Sequence, residues 1–122
     1  MPGSSPVQLK SQLDRVIMSI ELAVPCGLIL NELISNACKH GFSNSREGEI
    51  SLCLTARPDG NVLLRVDDNG AGLPSEFDVN TRKSLGLRLV RSLTKQIRGS
   101  FELVPANPGT SARVEFPVEL AG

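Results

Sequence analysis

The sequence predicts an α+β fold: a two-layer α/β sandwich in which a mixed, mostly antiparallel sheet carries its helices on one face. Two observations favour this class. Short stretches with apolar residues at every second position occur mostly in pairs joined by turn residues, as in β-hairpins. Two longer stretches with helical spacing of apolar residues lie between them, and that order is typical of helices layered on one side of a sheet.

The N-terminal part of the chain is expected to lie outside the fold. Residues 1–12 are interpreted as a linker or the remnant of a preceding segment, and residues 13–122 as the domain. Beyond the linker, apolar residues recur at every second position and predict a first strand. These residues are Val16, Met18, Ile20 and Leu22.

A first helix is predicted to follow this strand. Pro25 and Gly27 favour its start, it runs to about His40, and Gly41 is well placed to end it. At about 100° per residue one continuous face of this helix is apolar. That face consists of Leu30, Leu33, Ile34, Ala37 and Cys38.

The rest of the chain predicts a hairpin, a second helix and a last pair of strands. The hairpin pairs residues 50–55 with residues 62–66 through a turn at 57–61. A loop over residues 69–83 leads to the second helix, residues 84–97, whose apolar positions have helical spacing. These positions are Leu89, Val90, Leu93 and Ile97. Strands around residues 101–104 and 112–120, joined by a turn at 105–109, complete the sheet.

Composition and cysteine spacing exclude several kinds of protein. The 122 residues are 40% hydrophobic and 21% charged, with 13 basic and 13 acidic side chains, so no net basic field attracts nucleic acid or anionic lipid. No apolar run approaches the roughly 20 residues that cross a bilayer, and a signal-peptide core is missing. We expect a cytoplasmic domain that contacts neither nucleic acid nor membrane directly, although a longer parent could be membrane-anchored. The three cysteines match no metal motif and no disulfide framework, and Cys38 and Cys53 are expected to be buried.

A polar stripe on the first helix is the first candidate site. Glu32, Asn36, Lys39 and His40 gather on the side opposite the apolar face. A solvated surface is the simplest interpretation. However, an acid, an amide, an amine and an imidazole within about two turns could also position a water, hold a hard cation through oxygen and contact phosphate.

Asp68 is the second candidate. It continues the even-numbered phase of Val62, Leu64 and Val66, so its carboxylate points to the apolar side of the sheet, where burial is costly without a donor. Two interpretations stay open. Asp68 could bond its own backbone in a turn, or it could accept a hydrogen bond from a ligand amine. In the second case Gly70 and Gly72 would let the backbone approach that ligand closely.

Gly86 and Thr110 give weaker signals. Gly86 lies near the start of the second helix, where free N–H groups suit a phosphate. Thr110 shares the even phase of the last strand, so its hydroxyl faces the same inner side as Asp68. Glycines near helix starts are common, and an inward threonine usually bonds nearby backbone. The chain contains neither the GxxxxGK[ST] phosphate loop nor a GxGxxG sequence.

The order of these motifs resembles a known family. NELISNACKHG (residues 31–41) resembles an N box, DNGAGLP (68–74) a G1 box, SLGL (84–87) a G2 box, and Gly109-Thr110 the closing threonine motif. Together they resemble the Bergerat-type ATP-binding fold shared by gyrases, heat-shock chaperones, histidine kinases and mismatch-repair ATPases. The resemblance covers residues 16–120. NELISNACKHGF and SLGLRLVRSL are most similar to bacterial sensor histidine kinases of the HWE-like and related subfamilies.

The resemblance implies a role for each matched residue. Asp68 would bind the adenine amino group of ATP with help from Thr110, and Asn36 would coordinate Mg²⁺. Lys39 and His40 would face the phosphates. The residues that would shape the pocket are Gly70, Gly72, Gly86 and Leu87. Glu32 occupies the position of the general base in the hydrolysing members, and its role in a kinase stays open because a kinase does not transfer phosphate to water.

The resemblance also implies an activity and its partners. The chain would be the catalytic domain of an ATP-dependent protein histidine kinase, donating the γ-phosphoryl group to a histidine on a separate dimerisation segment of a homodimeric parent, and acting on a response regulator indirectly. The only histidine here is His40, inside the expected site. A serine kinase of the anti-sigma-factor type and a non-catalytic ATP-binding module are the alternatives. An ATP-gated clamp is disfavoured because 122 residues leave no room for a transducer domain. Only 13 residues, Phe77 the sole aromatic among them, separate Gly72 from Gly86, so a long lid is not expected.

Overall fold

A computed structural model describes residues 7–41, 48–70, 85–106 and 109–118 of the chain. The elements within these ranges, in chain order, are β1 (Val7–Leu13), α1 (Ile20–Gly41), β2 (Gly48–Ala56), β3 (Asn61–Asp68), α2 (Leu85–Gln96), β4 (Ser100–Pro105) and β5 (Thr110–Pro117). The strands form one sheet in the order β1-β2-β3-β5-β4. Only β1 and β2 pair in parallel, and the other neighbours are antiparallel. The predicted α+β class and the mixed, mostly antiparallel sheet are confirmed.

The β2–β3 hairpin forms as predicted, because alternation and turn chemistry agree there. The buried residues of both strands, such as Ile50 and Val62, are all even-numbered, and odd-numbered residues point to the opposite face. In the turn, the Asp59 side chain accepts a hydrogen bond from the backbone N–H of Asn61 at 2.9 Å. Gly60 supplies the positive φ of 89° that closes the turn.

The core lies between the two helices and the sheet face that carries the even-numbered residues of β2, β3 and β5. Its fully buried large side chains are Phe116, Ile29, Ile50, Val90 and Val114. α1 packs mainly over β3, and α2 packs beside α1 and against β4. Helix α2 agrees with its predicted range, but Leu89, assigned to the apolar face, lies at its margin and is 39% exposed. β5 begins two residues before its predicted start and ends at Pro117.

The predicted first strand is wrong. Residues 14–19 form no regular element and α1 already begins at Ile20, five residues before Pro25, which lies inside the helix. The carbonyl of Ser19 accepts hydrogen bonds from the N–H groups of Leu22 and Ala23, which starts the helix. The alternation arose because Val16 and Met18 pack against the core from an extended connection, whereas Ile20 and Leu22 belong to the first turn.

The first strand lies earlier, in the segment that the sequence analysis assigned to a linker. β1 pairs along its whole length with β2, from Val7 opposite Gly48 to Leu13 opposite Leu54. All seven residues of β1 are exposed, which explains why their apolar content is weak for a strand of a covered sheet. The domain boundary at residue 13 is not tested beyond this strand and stays a prediction.

The burial of Cys38 and Cys53 differs from the prediction. Cys38 is exposed, because the buried row of α1 is Ile29, Leu33 and Ala37, and Cys38 lies about 100° around the helix from Ala37. Cys26 and Cys53 are half-buried. Burial raises the pKa of the Cys26 thiol, which makes it a weak nucleophile.

Helix α1 is long and apolar enough over Ile20–Cys38 to cross a membrane on length and composition alone, with a mean hydropathy of 1.2. The core helix of a folded domain passes the same criterion. Here the row through Ile29, Leu33 and Ala37 packs on the sheet, so α1 is described as a core helix.

Candidate functional site

The two halves of the expected site lie at the same end of the sheet. Because α1 connects β1 to the parallel strand β2, its C-terminal half approaches the end where β2 begins. Register places the other half there as well: Ile50, near the start of β2, pairs with Asp68, and Asp68 pairs with Thr110. The topology therefore brings the polar stripe of α1 toward the last residue of β3 and the first residue of β5.

Asp68 sits half-buried on the helix-bearing side of the sheet. Its Oδ1 accepts a hydrogen bond from the backbone N–H of Gly70 at 2.9 Å. Burial raises the pKa of the carboxyl above its ordinary value, with a small added effect from the charge of Asp67, while hydrogen bonds from the backbone of Gly70 and Thr110 act in the opposite direction. Oδ1 of Asp68 thus bonds its own backbone, as the turn interpretation predicted. The carboxylate also lies on the inner side of the sheet, as binding of a ligand amine would require.

Gly109 lies where the start of β5 approaches the end of β3. It has a φ of 100°, and a Cβ placed on it would lie 1.8 Å from the backbone oxygen of Asp68. Only a glycine fits both the backbone conformation and this close approach. The Gly109-Thr110 pair therefore fixes Thr110, which is buried, beside Asp68.

The first turn of α2 lies directly against the polar stripe of α1. A Cβ added to Gly86 would be 2.7 Å from Oε2 of Glu32 and 3.8 Å from Nδ2 of Asn36. Nδ2 of Asn36 is buried and has no hydrogen-bond partner among the described residues. A buried amide end without a partner costs free energy, so this group fits a role in holding a ligand. A half-turn of the carboxamide would present its oxygen there, the atom that Mg²⁺ prefers.

The remaining predicted site residues are only partly described. Lys39 and His40 belong to the last turn of α1, but their side chains lie outside the described part of the structure. Gly72, and with it the rest of residues 71–84, also lies outside the described part. Gly70 is buried at the end of β3, and Leu87 is buried in the first turn of α2.

Asn69 lies in the DNGAGLP motif, but the sequence analysis assigned no role to its side chain. Its Oδ1 accepts a hydrogen bond from the N–H of Glu49 at 2.8 Å, and its own N–H donates to the Glu49 carbonyl at 3.2 Å. This reciprocal pair ties the turn after Asp68 to the start of β2. The signal was available, because an asparagine after a strand in Asp-Asn-Gly favours a side-chain hydrogen bond to backbone.

The comparisons with known proteins agree with this geometry. Residues 22–120 match the family described as histidine kinase-, DNA gyrase B-, and HSP90-like ATPase. The chain is 27% identical over 116 residues to blue-light-activated histidine kinase 2 of Erythrobacter litoralis, covering 95% of this chain and 34% of that protein. It is 29% identical over 120 residues to the sensor histidine kinase PdtaS of Mycobacterium tuberculosis, covering 96% and 24%.

A solved structure shows the same fold. The histidine kinase domain of the Erythrobacter litoralis EL346 blue-light-activated histidine kinase superposes with a TM-score of 0.85 at 27% identity, covering 92% of this chain and 52% of that one. The chain thus spans about a third or less of the curated relatives it matches, and about half of this solved domain. With a family match over 22–120 and the described motif residues at one end of the sheet, the chain belongs to the family of histidine kinase-, DNA gyrase B- and HSP90-like ATPases.

Proposed function

We propose that this chain is the ATP-binding catalytic domain of a sensor histidine kinase, of the HWE-like or a related subfamily. It binds Mg-ATP and donates the γ-phosphoryl group to a histidine on a separate dimerisation segment of a homodimeric, cytoplasmic kinase region. A response regulator then receives the phosphoryl group from that histidine. The names of the two relatives and of the solved neighbour support this assignment. The observation that carries it is Asp68, a carboxylate kept half-buried on the helix side beside Thr110.

Asp68 selects the base of the nucleotide. Adenine presents an amino donor to the carboxylate, whereas guanine presents a carbonyl oxygen at the equivalent place, so two acceptors would face each other. A hydrogen bond to a charged group contributes about 1.5–3 kcal/mol. Because about 1.4 kcal/mol corresponds to a factor of ten, ATP is expected to bind at least about tenfold more tightly than GTP.

Titration calorimetry of the 122-residue chain with ATP and GTP tests this assignment. Asp68→Asn is expected to weaken ATP binding while leaving thermal stability nearly unchanged. Asp67→Asn is the matched control, because Asp67 is the neighbouring carboxylate, points to the opposite face of the sheet and pairs with Nε of Arg65 at 2.8 Å. Equal affinities for ATP and GTP in the wild-type chain would refute the role of Asp68.

The phosphates are proposed to bind between α1 and the start of α2. The first turn of α2 offers backbone N–H groups and the positive end of the helix dipole, which favour an anion. Asn36 is proposed to hold Mg²⁺, which supplies positive charge to the phosphate oxygens, and Lys39 and His40 to contact the phosphates. In this arrangement the chain's own residues bind and orient the nucleotide, and phosphoryl transfer depends mostly on such positioning and charge neutralisation.

The phosphoryl acceptor is proposed to lie outside these 122 residues. His40 is the only histidine of the chain, and it follows Asn36 by one helical turn on α1. A side chain in the wall of the nucleotide site is poorly placed to align with the γ-phosphate and its leaving oxygen. Incubating the chain with γ-labelled ATP, alone and with the histidine-bearing segment of its kinase, tests this: acid-labile label is expected on the added segment only.

A further inference from the structure

The side chain of Asn69 replaces a backbone group in the pairing of β2 with β3. The regular register ends with Ile50 opposite Asp68, so the next pair along the two strands is Glu49 and Asn69. In a hydrogen-bonded antiparallel pair the two residues exchange both N–H···O=C bonds. The N–H of Asn69 makes its bond, to the Glu49 carbonyl at 3.2 Å. The N–H of Glu49 instead bonds Oδ1 of Asn69, at 2.8 Å.

This replacement lets the backbone leave the sheet at Asn69 without leaving the Glu49 N–H unpaired. Because the side chain satisfies that N–H, the backbone carbonyl of Asn69 is not needed in the sheet and the chain can turn. The turn brings the N–H of Gly70 to 2.9 Å from Oδ1 of Asp68. The orientation of the Asp68 carboxylate therefore depends on the turn that begins at Asn69.

The last strand of the chain limits the same turn from the other side. A Cβ added to Gly109 would lie 2.9 Å from Cα of Asn69, so the backbone of Asn69 passes close to the start of β5. Asn69 thus lies between Glu49 and Gly109. It is itself exposed, so burial contributes little to its position and the two hydrogen bonds to Glu49 fix it.

We propose that Asn69 is a positioning residue for recognition of the nucleotide base. Its Oδ1, bonded to the N–H of Glu49, holds the turn in which the Asp68 carboxylate faces the amino group of adenine. Asn69 acts through Asp68 and needs no contact of its own with the nucleotide. The inference rests on the proposed function, because it requires that Asp68 binds adenine.

Three substitutions of Asn69, compared by titration calorimetry below their melting transitions, test this role. Asn69→Ala removes the acceptor and is expected to weaken ATP binding at least about fivefold and GTP binding less than about twofold, as for loss of one ordinary hydrogen bond that only ATP uses. Asn69→Gln, one methylene longer, is a second disrupting variant with the same expected result. Asn69→Asp keeps an oxygen at the same place and is expected to bind ATP within about twofold of wild type at high ionic strength, which screens its added charge.

Asp14→Ala is the matched control, because Asp14 makes the same kind of reciprocal contact at the other end of β2. The N–H of Asp14 donates to the Leu54 carbonyl at 2.8 Å, and its Oδ2 accepts from the N–H of Ala56 at 2.9 Å. Asp14→Ala and Asn69→Ala each remove one exposed side-chain bond to the backbone of β2. Both are expected to lower the melting temperature by a similar amount, about 2–6 °C. Only Asn69→Ala is expected to change the affinity for ATP.

A double-mutant cycle shows whether Asn69 acts through Asp68. When Asp68→Asn is already present, adding Asn69→Ala is expected to weaken ATP binding by less than about twofold more. A full further loss of about fivefold would overturn the positioning role. Unchanged ATP affinity in Asn69→Ala, equal losses for ATP and GTP, or an equal loss of ATP affinity in Asp14→Ala would do the same. These results leave the ATP preference of the wild-type chain intact, whereas equal wild-type affinities for ATP and GTP would refute the proposed role of Asp68 and this inference together.

Discussion

Gly109→Ala isolates the close approach between the start of β5 and the end of β3, beside Asp68 and Thr110. The substitution combines two costs: a side chain at φ 100°, and a methyl group 1.8 Å from the backbone oxygen of Asp68. Ordinary contact begins at 3.4 Å, so the two strands would have to separate by about 1.6 Å. A left-handed backbone costs about 1–2 kcal/mol in a residue with a Cβ. Forced overpacking adds about 1–3 kcal/mol.

Gly60→Ala supplies the matched control for this prediction. Gly60 has a similar φ of 89°, but a Cβ there would meet nothing within 4 Å. The two variants share the backbone strain and the loss of unfolded-state freedom, so their difference reports the contact with the backbone of Asp68 and Asn69. We expect Gly60→Ala to cost about 1–2 kcal/mol and Gly109→Ala at least about 1 kcal/mol more.

Thermal and urea unfolding measure these costs, and ATP titration measures their effect on the site. At about 4 °C per kcal/mol, Gly109→Ala is expected to lower the melting temperature by about 4 °C or more beyond Gly60→Ala. Below its transition, Gly109→Ala is also expected to weaken ATP binding, because Thr110 moves away from Asp68. Gly60 lies at the other end of β3 and its variant is expected to bind ATP normally. Equal losses of stability in the two variants would refute the reasoning.

Four further results are expected. Burial raises the pKa of the Asp68 carboxyl in the folded state, so folding favours its protonated form. The stability that this group contributes is therefore complete below its unfolded-state pKa and is lost as the pH rises through its folded-state pKa. Asp68→Asn therefore removes this part of the pH dependence of the urea midpoint, and an unchanged dependence contradicts the assignment. Asn36→Ala is expected to abolish the gain in ATP affinity on adding Mg²⁺; retention of that gain would argue for another ligand. Gly86→Ala places a methyl group 2.7 Å from Oε2 of Glu32, a flexible side-chain end, so calorimetry is expected to show weaker ATP binding with a change in stability below about 1 kcal/mol. Mapping of acid-labile phosphate is expected to find none on His40, and stoichiometric label there would mean that the acceptor lies within this chain.

The elements that the sequence predicted correctly are those with strong local sequence patterns. The β2–β3 hairpin was predictable because alternation, Asp59 and Gly60 all specify the same turn, and α2 because its apolar spacing has one interpretation. The alternation from Val16 failed because four positions do not distinguish an extended connection from a strand. β1 was not predicted, although Val7, Leu9 and Leu13 all lie at odd-numbered positions and so on one face of the strand. A parallel edge strand is not joined to its partner by a short turn, so no turn residues indicate the pairing.

The site was predictable in its parts but not in its contacts. The alternation of side chains along β3 and β5 predicted that Asp68 and Thr110 lie on one face of the sheet. The helical spacing of α1 predicted that Glu32 lies beside Asn36. The approach of Gly86 to Glu32 and of Gly109 to Asp68 depends on how whole elements pack, which no single segment encodes. Asn69 links two strands that are distant in sequence, so its role appears only once the sheet is assembled.

The parallel pairing of β1 bears on the order in which this domain folds and opens. β2 pairs with β3, and β4 with β5, through short connections, whereas Val7 reaches Gly48 only after 41 residues of chain, including all of α1. The β3–β5 pairing spans a similar separation, 42 residues from Asp68 to Thr110, but those two strands lie inside the sheet and bury their inner faces. Contacts of such long sequence separation form late, because the chain entropy of closing the loop is lost before they add stability. An edge strand with every residue exposed also has little buried surface to hold it. In the isolated domain β1 is thus expected to detach as a cooperative unit of its own, at a lower free energy than the four-stranded remainder.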